Sequence, residues 1–70
     1  MDHLEETKQA IVDLADKAAS ADLPAQVIEN LRLAAATELG MTAAVKAAAF
    51  AAARADNHEL FDRSLVLLSD

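Results

Sequence analysis

Apolar positions recur along this chain with the spacing of helices, not strands. From about Asp2 to Ala19, Leu4, Ile11 and Ala18 stand seven apart, as do Thr7, Leu14 and Ala21. At 100° per residue they share one narrow face, the pattern of a helix packed along its length. Asp13 and Lys17 add an i,i+4 pair of the favourable orientation, and Asp2, Glu5 and Glu6 suit the positive end of the helix. Ser20-Ala21-Asp22-Leu23-Pro24 reads as a break and restart, with Asp22 as a cap and Pro24 in a first turn. A second helix follows to Leu39, with Val27, Ile28, Leu31, Ala35 and Leu39 on one face and Leu33 off it; Gly40 supplies the left-handed residue that ends it.

Thr42 is the expected N-cap of a third helix reaching about Ala55. Val45, Ala48, Ala49 and Ala52 fall on one side of it, and Ala43, Ala47 and Phe50 nearly on the other. A helix apolar all round is normally buried, so this alanine-rich segment is expected at the hub. Asp56-Asn57-His58-Glu59 is a second break, with Asp56 or Asn57 as cap and Glu59 completing a capping box if the cap is Asp56. The last helix carries Leu60, Phe61, Ser64, Leu65 and Leu68 inward, leaving Val66 outside that arc and Leu67 at its margin. The pattern therefore predicts an all-α fold over 1–70: a compact bundle of four short helices, about 2–19, 23–39, 42–55 and 57–69, with an Ala-rich central third helix.

Composition narrows the function. Of thirty-eight hydrophobic residues eighteen are alanine, leaving twenty large ones in 70 residues. So short a chain buries only about 60% of its unfolded surface and often needs a disulfide, a metal or a partner. Cysteine is absent, which removes the first aid and cysteine-rich zinc sites. The acidic start is not that of an export signal, and Met41 to Ala53, the longest low-polarity run, is broken by Lys46 and too short to span a bilayer. A cytoplasmic protein with no membrane segment is expected. The net charge of −6 opposes nucleic acids and anionic membranes and favours a protein partner with a basic surface.

Candidate chemistry is sparse. His58 and Asp62 stand four apart and His3 and Glu6 three apart, but two ligands do not hold a metal, so neither metal nor cofactor is expected. Ser20, Ser64 and Ser69 lack a base motif and an oxyanion hole, and one glycine cannot cradle phosphate. No catalytic role follows.

Leu39-Gly40-Met41-Thr42-Ala43-Ala44-Val45-Lys46, followed by Ala53-Arg54-Ala55, resembles the turn and second helix of helix-turn-helix domains, especially the DNA-binding region of extracytoplasmic-function sigma factors. Ala36 fits the small residue four before the glycine. That resemblance implies a small DNA-binding regulator contacting DNA through Thr42, Lys46 and Arg54. The chain departs from the pattern where Lys46, and not Val45, holds the usual buried position, and where alanines stand in place of base-reading side chains. Apolar residues off the core faces, Val12, Leu33, Val66 and Leu67, point instead to protein docking or to a twofold homodimer. The leading expectation is a small acidic, non-catalytic interaction or regulatory module of the inhibitor or adaptor type, such as phage and mobile elements encode, that self-associates as a dimer. A DNA-binding regulator is the alternative and an assembly subunit the third.

Overall fold

The computed structural model describes residues 3–69, apart from the side chain of His3. It contains four helices, α1 (His3–Ser20), α2 (Ala25–Thr37), α3 (Met41–Arg54) and α4 (His58–Ser69). No strand occurs among the described residues. Successive helices pack side by side, and α4 returns to α1, closing a ring in chain order; α1 and α3 touch across the middle while α2 and α4 do not meet. The core is built mainly of small residues, with Ile11, Leu14, Leu23, Leu31, Val45 and Leu60 set among Ala15, Ala18, Ala34, Ala35, Ala44, Ala48 and Ala52. Alanine has no side chain beyond Cβ, so these helices can approach closely and still fill space.

The turns differ from the sequence expectation in how they are made. Asp22 does not cap α2. It sits in the left-handed region (φ 62) and closes α1: Leu23 N–H donates to the Ala18 carbonyl at 3.0 Å and Asp22 N–H to Ala19 at 3.2 Å. Asp56 (φ 57) closes α3 in the same way, with Asn57 N–H donating to Ala52 at 2.8 Å and Asp56 N–H to Ala53 at 3.1 Å. These are Schellman closures with aspartate in the place glycine usually takes. The α2 N-cap is Pro24, whose carbonyl accepts from Val27 and Ile28 N–H. For α4 the cap is Asn57, whose Oδ1 accepts from Leu60 N–H at 3.1 Å, so Glu59 is not part of a capping box and pairs with Arg63 instead. Asp13 likewise accepts from Gln9 and forms no pair with Lys17.

The α2–α3 connection holds the largest departure. α2 ends at Thr37, two residues before Leu39, because Glu38 rather than Gly40 turns left-handed first (φ 61). Thr37 Oγ1 donates back to the Leu33 carbonyl at 2.9 Å and accepts from Leu39 N–H at 3.3 Å, while the Glu38 carboxylate meets Lys8 Nζ at 3.0 Å. Leu39 is thereby taken off the helix and out of the face it was expected to share. Gly40 (φ 67) is the N-cap of α3, and its carbonyl accepts from Ala44 N–H at 3.0 Å; Thr42 lies inside the helix, exposed, and is not the cap.

α3 packs along both α2 and α4, but it is not buried all round. Ala44, Val45, Ala48, Ala49 and Ala52 face the core; Thr42, Ala43, Lys46, Phe50, Ala53 and Arg54 face out. With α2 and α4 on its flanks and α1 behind, no element remains to cover the outer side. On α4, Leu60 and Ser64 are buried as expected, whereas Leu65 is 44% exposed.

Candidate interaction surface

The four apolar residues singled out from the sequence do not form one surface. Val12 lies in the groove between α1 and α2, beside Gln9, Arg32 and Ala36. Leu33 lies between α2 and α3, and Val66 and Leu67 between α1 and α4. Leu67 is half-buried and packs on the core, so it does not belong to an open patch: at its position on α4 it points toward α1 and not into solvent. Val12 is at the edge of exposure, which leaves Leu33 (62% exposed) and Val66 (64%) as open positions on different sides of the bundle.

Two residues assigned to packed positions by periodicity are the most exposed large apolar side chains among those described, Leu39 (74%) and Phe50 (73%). Leu39 lines a groove with Leu33, Asn30 and Ala34 from α2 and with Gly40, Ala43 and Ala44 from the start of α3. Phe50 stands seven residues beyond Ala43, so two helical turns bring it to nearly the same line along α3. Leu33, Leu39, Ala43 and Phe50 therefore belong to one side of the molecule. A contiguous apolar patch carries information that a lone exposed leucine does not.

The charges along α3 are distinctive. The stretch from Leu39 to Ala55 contains no acidic residue, although the chain has twelve. Its two cations, Lys46 and Arg54, stand four residues before and four after Phe50, and both are exposed. Among the described residues neither has an ion-pair partner, whereas Lys8, Arg32 and Arg63 are engaged by Glu38, Asp16 and Glu59. The Lys8 ammonium is held above its ordinary pKa by its hydrogen bond to Glu38, then by the charges of Glu38 and Glu5. Thr42, Lys46 and Arg54, the DNA contacts implied by the helix-turn-helix resemblance, are all exposed on α3, but Thr42 lines the groove toward α1 and α4, and Val45 takes the buried place that Lys46 holds in the pattern's register.

The residues weighed for catalysis or metal binding are spent on structure or stand apart. Ser64 is fully buried and donates to the Leu60 carbonyl at 2.9 Å, and Ser69 donates to the Val66 carbonyl at 3.0 Å. Ser20 lines a polar cleft with Asp16, Lys17, Asn57 and Glu59, in which Asn57 is occupied as a cap and Asp16 and Glu59 by arginines. His58 and Asp62 are exposed, and the described residues hold no group of three metal-ligating side chains; the His3–Glu6 pairing lies outside the described residues. None of these helices is long and apolar enough to cross a membrane. Comparison with protein-family models, with curated proteins and with solved structures finds no match to the chain.

Proposed function

We propose that the chain is a non-catalytic protein-binding module, of the inhibitor or adaptor type, that docks through the α2–α3 side. The observation that carries this reading is the exposure of Leu33, Leu39, Ala43 and Phe50 along α2, the turn and α3, where the stretch from Leu39 to Ala55 has no acidic residue. Burying each of the three large side chains contributes about 1.5–3 kcal/mol, and association costs on the order of 4–15 kcal/mol. The apolar anchors alone thus support a weak complex, and Lys46 and Arg54 are placed to add charged contacts around the aromatic centre.

A photo-crosslinking residue in place of Phe50 tests the reading in the cell of origin. Protein adducts are expected from position 50 and not from an equivalent probe at Ser20, and Leu39→Asp should remove them while leaving the melting temperature unchanged. Equal adducts from both positions would refute the assignment of the surface.

The DNA-binding alternative is favoured by one observation, the exposure of Thr42, Lys46 and Arg54 on α3. Two cations release few counterions, and twelve acids oppose approach to a duplex. A gel shift at physiological salt distinguishes the readings: no shift is expected, and a sequence-specific one abolished by Lys46→Glu with Arg54→Glu would establish the alternative.

A further inference from the structure

The three connections between helices are not tied down alike. The α1–α2 turn holds Leu23 in the core, is closed by the backbone bond from Leu23 N–H to Ala18, and contains Pro24, which bars a continuous helix. The α3–α4 turn is closed by the backbone bond from Asn57 N–H to Ala52 and by the Asn57 cap on Leu60. The α2–α3 turn, Glu38-Leu39-Gly40, is exposed at all three residues. Among the described residues no backbone bond runs from Leu39 or Gly40 N–H back into α2; Leu39 N–H donates to Thr37 Oγ1 at 3.3 Å, and the turn is linked to α1 through the Lys8–Glu38 pair. Two of its three residues are left-handed, Glu38 and Gly40, and no side chain caps the start of α3. The helix pairs on either side of it, α1 with α2 and α3 with α4, are the most heavily packed. The chain is thus two helical hairpins joined by its least anchored turn.

We infer that two copies exchange their α3–α4 hairpins, with residues 38–40 straightening so that α2 and α3 become one helix. The hinge sequence permits this: Glu38 and Leu39 are good helix formers, no proline is present, and the apolar spacing of α2 already runs on to Leu39. Straightening relieves the left-handed backbone at Glu38. It also joins the open end of α2 to the uncapped start of α3, so that the N–H groups of Leu39, Gly40 and Met41 gain the carbonyls of Ala35, Ala36 and Thr37. Against it stand the helical cost of Gly40 and the loss of the turn's own contacts, Lys8–Glu38 and Leu39–Thr37. The packing between the two hairpins is the same in both forms, made within one chain when closed and between chains when exchanged, so the dimer requires no new complementary surface. The balance then lies with the hinge and with protein concentration. The exchange is independent of what docks on the α2–α3 side.

Gly40→Ala and Glu38→Gly move the hinge in opposite directions. Alanine at 40 strains the closed turn and favours the helix, and with two chains straightened per dimer the dimerisation constant should rise on the order of 10³-fold. Glycine at 38 relaxes the closed turn and disfavours the helix, so the constant should fall. The space beside the Gly40 Cα is open, which leaves the alanine variant room to fold. Sedimentation velocity between about 1 µM and about 1 mM, after warming and cooling to let the hairpins part, should show monomer and dimer in that order of affinity and nothing larger. Distances identify the kind of dimer. The chain has no cysteine, so nitroxides on Gln26→Cys and Ala53→Cys, both exposed, report the hinge alone when the labelled Gly40→Ala chain is diluted in an excess of unlabelled Gly40→Ala. In one continuous helix their separation of about 27 residues spans about 40 Å, beyond the 34 Å length of the closed molecule. A wild type with no dimer at about 1 mM overturns the inference, as does an unchanged constant in Gly40→Ala or a dimer whose labels stay within the length of the closed chain.

Discussion

Replacing Ala52 with leucine tests whether α3 is held close to its neighbours by its small residues. Ala52 has no accessible surface, and its carbonyl also accepts the N–H groups of Ala55 and Asn57 that form the α3–α4 turn. Three added carbons have no free volume to enter, so either the side chain leaves its preferred rotamer or α3 moves away from the core. Overpacking of this kind costs about 1–3 kcal/mol. A chain of 70 residues loses about 7 °C of melting temperature per kcal/mol, which gives a fall of roughly 7–20 °C. Its whole stability is on the order of 4–10 kcal/mol, so the upper end approaches unfolding at room temperature. The neighbouring Ala53 is exposed, and Ala53→Leu, with the same change in helix propensity, serves as the control. Thermal melts by circular dichroism should show the first variant lowered and the second within about 3 °C of wild type. Equal melting temperatures for the two variants would refute the one-sided packing of α3.

Four further outcomes follow from the turns and their partners. Asp56→Gly should stabilise the protein by up to about 1 kcal/mol, since glycine adopts φ 57 without the strain of an L side chain, and Gly40→Ala should destabilise it by about 1–2 kcal/mol; denaturant titration of both checks the signs. The space around the Gly40 Cα is empty, so any loss there is backbone strain and not a clash. Asn57→Ala removes the α4 cap and should cost about 0.5–2 kcal/mol in the same titration, with Asn57→Asp close to neutral. The raised pKa of Lys8 sets a pH dependence: its contribution is complete below 10.5, the unfolded value, and is lost as pH rises through the higher folded value. Glu38→Gln should flatten this alkaline fall in stability, and an unaltered profile would show that the pair contributes nothing.

Helix number and type could be read from the sequence because each segment combines large periodic residues with a break that cannot continue a helix. That spacing turns Ile11, Leu14, Ala18, Leu31, Val45, Ala48, Ala52, Leu60 and Ser64 inward, and all are buried. The surface was harder to read, for two physical reasons. Leu39 falls on the α2 apolar face only if the helix continues past Thr37, and the left-handed turn at Glu38 is set by Thr37 and by Lys8, a residue thirty positions away. Phe50 belongs to a helix in which Thr42, Lys46 and Arg54 are the only polar side chains, so the apolar pattern alone cannot say which side meets water. Lys46 and Arg54, one turn either side of it, were the available signal, because unpaired cations on a helix point outward. The scatter of Val12, Leu33 and Val66 over three grooves depends on which helices are neighbours in space, information that no single helix pattern contains.

The connections of four, three and three residues between successive helices carry a kinetic consequence. Most contacts join helices adjacent in the chain, so little loop entropy is lost before the first favourable contacts form. Helical proteins of this contact order fold in microseconds to milliseconds. With a modest total stability the native state also opens often, and each opening ends long before a protease can commonly act on it. Survival in a cell then depends on the fraction of time spent open and not on the height of the unfolding barrier. Any partner that engages only the closed form would lengthen the protein's lifetime in inverse proportion to the fraction of copies left unbound.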